Sequence, residues 1–116
     1  PENNTVMFGS LSGSKLGIWV AHGEGRFNLP MPLENYNIVA RYNYAAYPGN
    51  PNGSRASVAA IASPDGRHVT MMPHPERSIF PWQCGFYPAS RRADRVTPWL
   101  DAFINARKWV ENIKKA

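Results

Sequence analysis

The sequence predicts an α/β fold: several short strands, two of them paired in a hairpin, and one long helix at the C-terminal end. Three features carry that prediction. Eleven prolines over 116 residues cut the chain into short pieces, which favours strands and structured loops over long helices. Ser63-Pro64-Asp65-Gly66 is a turn sequence set between two apolar segments, the pattern of a β-hairpin. From Thr97 onward apolar residues recur at spacings of three and four, the period of an amphipathic helix.

The first element is residues 16–22 (LGIWVAH), an apolar run with β-branched and aromatic bias that meets the Gly23-Glu24-Gly25 turn; it reads as a largely buried strand. Residues 36–43 (YNIVARYN) form a second strand candidate, with Ile38 and Ala40 on one face and Val39 and Arg41 on the other. A proline-bracketed loop, 47–54, leads to the hairpin strands 57–62 and 67–72. In the tail, Thr97 is the expected N-cap and Pro98 the first helical residue. Trp99, Leu100, Phe103, Ala106, Val110 and Ile113 make one apolar face, which is expected to pack on the sheet. Trp19, Trp99 and Trp109 read as core or helix-face aromatics.

At 43% hydrophobic and 12% aromatic the chain is not compositionally disordered. Its length suits one small domain or part of one, and Pro1 in place of an initiating Met suggests processing or a piece of something longer. The apolar runs fall far short of the roughly 18 residues of a membrane span, and no signal-peptide pattern opens the chain. A lone cysteine, Cys84, excludes an internal disulfide and a four-cysteine metal site and fits a reducing, cytoplasmic compartment. The net charge of +5 is unevenly placed: up to Gly66 four cations face four carboxylates, whereas from Arg67 nine face four. Clustered cations can bind phosphates, but here Pro, Trp and Phe dilute them and Lys114 and Lys115 end a helix, which suits a solvated or interface face better than nucleic acid.

Chemistry concentrates in Met71-Met72-Pro73-His74-Pro75-Glu76-Arg77. Pro75 keeps His74 out of the α region and fixes its own φ, so the tripeptide is expected to be extended or polyproline-like, with His74 and Glu76 projecting to the same side of an extended segment. A carboxylate on one imidazole nitrogen fixes the tautomer and leaves the other free to take a proton from a nucleophile. Taken alone, His-x-Glu is a weak pattern. In zinc nucleobase deaminases it is accompanied by a downstream Pro-Cys-x-x-Cys, which a chain with one cysteine lacks; no metal site is expected.

Together with Val20-Ala21-His22-Gly23-Glu24-Gly25-Arg26 and Asn50-Pro51-Asn52-Gly53-Ser54, the His74-Pro75-Glu76 block resembles the glutamine amidotransferase domain of the phosphoribosylformylglycinamidine synthases in order and spacing. The resemblance runs from about Gly13 to the terminal helix. It implies the C-terminal half of a flavodoxin-like, class I amidotransferase domain, with residues 1–116 lacking the half that bears the nucleophile. His74 would be the base that activates a cysteine thiol and Glu76 the group that orients it. Glutamine would be hydrolysed through a glutamyl thioester, and the ammonia passed to a synthetase domain. There ATP and magnesium would drive conversion of formylglycinamide ribonucleotide to the amidine, a step of purine biosynthesis.

No cofactor is expected in this chain itself. The expected partners are the remainder of the amidotransferase domain, the synthetase domain and glutamine, with neither nucleic acid nor membrane. Cys84 follows His74 and lacks the family's strand-to-helix elbow, so it is not expected to be the nucleophile, and these residues alone should be inactive. His22, Glu24, Arg26 and Asn52 are expected near the site or at an interface. The alternative for the glycine turn is a Glu24–Arg26 pair, and that for the asparagine block is plain loop architecture. Two competing readings are a small stand-alone amidotransferase subunit, disfavoured by the long tail, and a non-catalytic basic binding module.

Overall fold

The computed structural model describes residues 4–21 and 23–115. Three strands, β1 (Asn37–Arg41), β2 (Val58–Ala62) and β3 (Val69–Met71), form an antiparallel sheet in the order β1-β2-β3. Ile38 pairs with Ile61 and Arg41 with Val58, with irregular register around Ala40; Ala60 pairs with Met71 and Ala62 with Val69. The expected hairpin is present. Gly66 N–H donates to Ser63 O at 3.0 Å and Ser63 N–H to His68 O at 2.9 Å, while Asp65 accepts from the Ser63 hydroxyl at 2.6 Å and from Arg67 N–H at 3.1 Å. The turn requires glycine: Gly66 has φ +73°, and a Cβ there would lie 2.3 Å from Asn4 O, because the N-terminal segment docks through Val6 N–H on Gly66 O at 3.0 Å.

The helix α1 spans Leu100–Lys115, starting two residues beyond the expected first helical residue, Pro98, with Thr97 still bonding its first turn. Thr97 Oγ1 accepts from Trp99 N–H at 3.3 Å, and Leu100 and Asp101 N–H reach back to Thr97 and Pro98 carbonyls. The face it buries differs from the expected one. Ala102 is fully buried and joins Val39 and Ala60 of the sheet, and Phe8, in the core cluster. Phe8 meets Trp99 edge-on, ring centroids 6.2 Å apart. Phe103, Val110 and Ile113 are instead 38%, 45% and 50% exposed. Two contacts turn the helix this way: Asn105 Nδ2 donates to Met7 O at 3.0 Å and to Ser10 Oγ at 2.6 Å, and Arg67 lies over the Trp109 ring, 5.1 Å from its centroid.

Residues 16–21 do not form a buried strand. They join the sheet by one isolated bridge, Trp19 to His74, and Trp19 is 46% exposed, not a core aromatic. The prolines explain this. Of Pro73, His74 and Pro75 only His74 has an N–H to donate, and it donates to Trp19 O at 2.9 Å. A second tie comes from Trp99 Nε1–H to Gly17 O at 2.8 Å. Leu16, Ile18 and Val20 therefore stand off the sheet and line, with Val39, Ala59 and Met71, a cleft of about 850 Å³. His22 lies outside the described residues.

Candidate active site

β3 delivers the chain directly into the histidine segment. His74 is extended, with φ −114° and ψ 89°, and Pro75 then opens a 3-10 turn, Pro75–Arg77, closed by Arg77 N–H on His74 O at 3.1 Å and Ser78 N–H on Pro75 O at 3.0 Å. The fixed φ of proline suits the first position of such a turn. Glu76 is thus carried on a turn, not along the extended strand expected from the sequence. The two side chains still meet: His74 Nδ1 and Glu76 Oε1 are 2.6 Å apart. An ionised carboxylate only accepts, so Nδ1 carries the proton and Nε2 of the neutral ring is the acceptor. The hydrogen bond from His74, supplemented by the backbone, holds the Glu76 carboxyl below its ordinary range. The imidazole is about one-third exposed and the carboxylate about half, so the pair faces solvent at the surface of the described structure.

Contacts that the sequence did not foretell hold this turn. Thr97 Oγ1 donates to Ser78 O at 2.5 Å and Thr97 N–H to Ile79 O at 2.7 Å, so the residue that caps α1 also fixes the chain leaving the turn. Thr97 and Ser78 are both buried. On the other side, Trp19 holds His74 through its carbonyl while its indole N–H donates to Gln83 O. A threonine before Pro-Trp at a helix start signals the cap; its second bond depends on a segment 19 residues away in sequence and leaves no local signature.

Cys84 is a half-buried free thiol, 3.8 Å from Phe80 O. It lines a cleft of about 450 Å³ with Trp19, Ser78 and Phe86, and neither His74 nor Glu76 lines that cleft. The two remaining blocks come together: Asn52 Nδ2 donates to Gly23 O at 3.1 Å and Gly25 O at 2.9 Å. The Asn52 loop is braced by buried Asn50, which accepts from Ser54 N–H and donates to Ser54 O, both at 3.0 Å. Glu24 and Arg26 make no ion pair with each other among the described residues.

Several cations of the basic half make local contacts: Arg91 with Asp94 at 2.8 Å, Arg107 with Glu111 at 3.0 Å, and Arg67 on Trp109. Asp94 also accepts from the Tyr87 hydroxyl at 2.6 Å, which raises the Tyr87 pKa. Among the described residues no three His, Cys, Asp or Glu side chains are grouped to hold a metal ion, and no helix is long and apolar enough to cross a membrane.

A histidine whose Nδ1 is held by a carboxylate, with Nε2 left as an acceptor, is chemically able to take up a proton. Residues 1–110 match the CobB/CobQ-like glutamine amidotransferase domain, and the chain belongs to that family. Its curated relatives agree with the resemblance carried by the three motif blocks. It is 42% identical over 125 residues to the probable phosphoribosylformylglycinamidine synthase, chloroplastic/mitochondrial, of Arabidopsis thaliana, covering 96% of this chain and 9% of that protein. The phosphoribosylformylglycinamidine synthase of Homo sapiens is 41% identical over 116 residues, 90% of this chain and 9% of the human protein. That of Saccharomyces cerevisiae is 37% identical over 124 residues, with 94% and 9% covered. The chain spans about a tenth of the length of these relatives.

Proposed function

We propose that this chain is part of the glutaminase domain of a phosphoribosylformylglycinamidine synthase, and that His74 and Glu76 are the acid–base pair of its thiol site. The observation that carries the reading is the 2.6 Å bond from Nδ1 to Glu76, which presents Nε2 as a base, in a chain matching the amidotransferase family over residues 1–110. A cysteine thiol from the half of the domain outside this chain gives its proton to His74 Nε2 as sulfur attacks the side-chain amide carbon of glutamine. The imidazolium returns that proton to the departing nitrogen, releasing ammonia and leaving a glutamyl thioester. Water then attacks the thioester with His74 again taking the proton, and glutamate leaves as the thiol is restored. Glu76 stabilises the imidazolium and holds the ring in one tautomer.

In this reading the domain is flavodoxin-like and class I, the antiparallel sheet and α1 forming its C-terminal half. The ammonia passes to a synthetase part of the same polypeptide, where ATP and magnesium activate the formylglycinamide ribonucleotide; the compartment is reducing and cytoplasmic. Purified full-length synthase carrying this sequence tests the assignment. His74→Ala should lower glutamine-driven synthesis by at least about a thousandfold, as for loss of a triad base, while synthesis from free ammonia persists. Cys84→Ser should leave both within about twofold, as for a residue outside the reacting groups. Glutamate release by the 116-residue chain alone, abolished by Cys84→Ser, would overturn the assignment of the nucleophile to another segment.

A further inference from the structure

The acid–base pair is carried on an element too short to hold its own shape. Pro75–Arg77 is a single 3-10 turn without a side-chain cap, and one such turn is marginal unless outside contacts fix it. Its two functional side chains give little help: the imidazole is 32% and the carboxylate 56% exposed, so burial alone does not set where Nε2 points. The hydroxyl of Ser78, at the end of the turn, is buried and has no hydrogen-bond partner among the described residues. The turn is located from outside at both ends. At its start His74 N–H meets the Trp19 carbonyl at 2.9 Å. At its end Ser78 O accepts from the Thr97 hydroxyl at 2.5 Å, and Ile79 O accepts from Thr97 N–H at 2.7 Å.

Trp19 contributes a main-chain atom to this clamp, whereas Thr97 contributes a side chain, and its single hydroxyl does two jobs. It donates to Ser78 O and accepts from Trp99 N–H at 3.3 Å. Thr97 is itself firmly seated. It is 3% exposed, its carbonyl accepts from Leu100 N–H at 3.2 Å, and the neighbouring Trp99 is tied to Gly17 O at 2.8 Å and stands edge-on to core Phe8. From the hydroxyl to the base the path is short: Ser78 N–H bonds Pro75 O at 3.0 Å and Arg77 N–H bonds His74 O at 3.1 Å. We infer, on the basis of the proposed function, that Thr97 is a positioning residue for glutamine hydrolysis. It holds the C-terminal end of the His74 turn so that Nε2 stands where it exchanges a proton with the thiol and the departing nitrogen. Such transfers demand close placement: a displacement of about 1 Å caused by a remote change can cost on the order of a hundredfold in rate.

Substitutions at Thr97 in the full-length synthase test this. Thr97→Val keeps the shape and removes the hydroxyl, while Thr97→Ser keeps the hydroxyl. The valine variant should lower kcat/KM for glutamine hydrolysis by at least about tenfold, with ammonia-driven synthesis within about twofold; the serine variant should stay within about twofold in both. A second substrate separates misplacement of the base from loss of folded sites. The γ-methyl ester of glutamate has an alkoxide leaving group that needs less protonation than a departing amide nitrogen, so its kcat/KM should fall at least about threefold less than that of glutamine in Thr97→Val. Glutamine hydrolysis within about twofold in the valine variant, an equal fall for amide and ester, or a serine variant as impaired as the valine overturns the inference. If Thr97→Val is not recovered folded, Thr97→Cys, whose thiol is a weak donor, replaces it under the same three criteria. The proposed function fails separately, through His74→Ala retaining glutamine-driven synthesis.

Discussion

Glu76 sits on an exposed turn, yet the hydrogen bond from His74 keeps its carboxyl ionised below the usual glutamate range. A depressed carboxylate adds stability that is present above its unfolded pKa, about 4.3, and is lost as pH falls through the lower folded value. The excess melting temperature of the unmodified protein over Glu76→Gln should therefore be present at pH 5 and above and shrink as pH falls below about 4. A difference that does not shrink in that acid range contradicts the bond. The participants in this pair were legible in the sequence, since a histidine between prolines with a carboxylate two residues on can scarcely avoid meeting it. Its geometry was not, because the choice between a pleated strand and a 3-10 turn is made by Pro75 and by the distant Thr97, not by the spacing.

Among the elements, the hairpin and the helix start were the most readable because each is specified by local chemistry: Gly66 at positive φ, Asp65 accepting across the turn, Thr97 ahead of Pro98. Gly66→Ala should destabilise the protein by at least about 2 kcal/mol, combining left-handed strain with the close approach of Asn4 O. Thr97→Ala should cost about 2 kcal/mol, since it removes a cap and leaves the buried Ser78 carbonyl without that donor. Thermal unfolding checks both. Elements that depend on remote partners were misread. Strand propensity in residues 16–21 found only one bridge, and the apolar count along α1 could not reveal that Asn105 and Trp109, through the N-terminal segment and Arg67, would set the helix rotation. Phe8, central to the core, lies in a stretch without period.

At the level of the whole molecule, the core cluster is Phe8, Val39, Ala60 and Ala102, while Phe103, Ile104, Val110 and Ile113 lie along α1 at 38–50% exposure. An apolar stripe of this kind marks a surface that another body covers. The 116-residue chain by itself should bind an exposed-hydrophobe dye and self-associate, and Phe103→Lys with Ile113→Lys should lower both without loss of helical circular dichroism. A monomer that binds no dye contradicts this. The anchoring of Ser78 and Ile79 by Thr97 has a genetic reading as well. A premature stop just ahead of Thr97 would leave every proposed catalytic side chain encoded while removing both that peg and the core residue Ala102. Such an allele would score as loss of function in a complementation screen although none of those codons is altered.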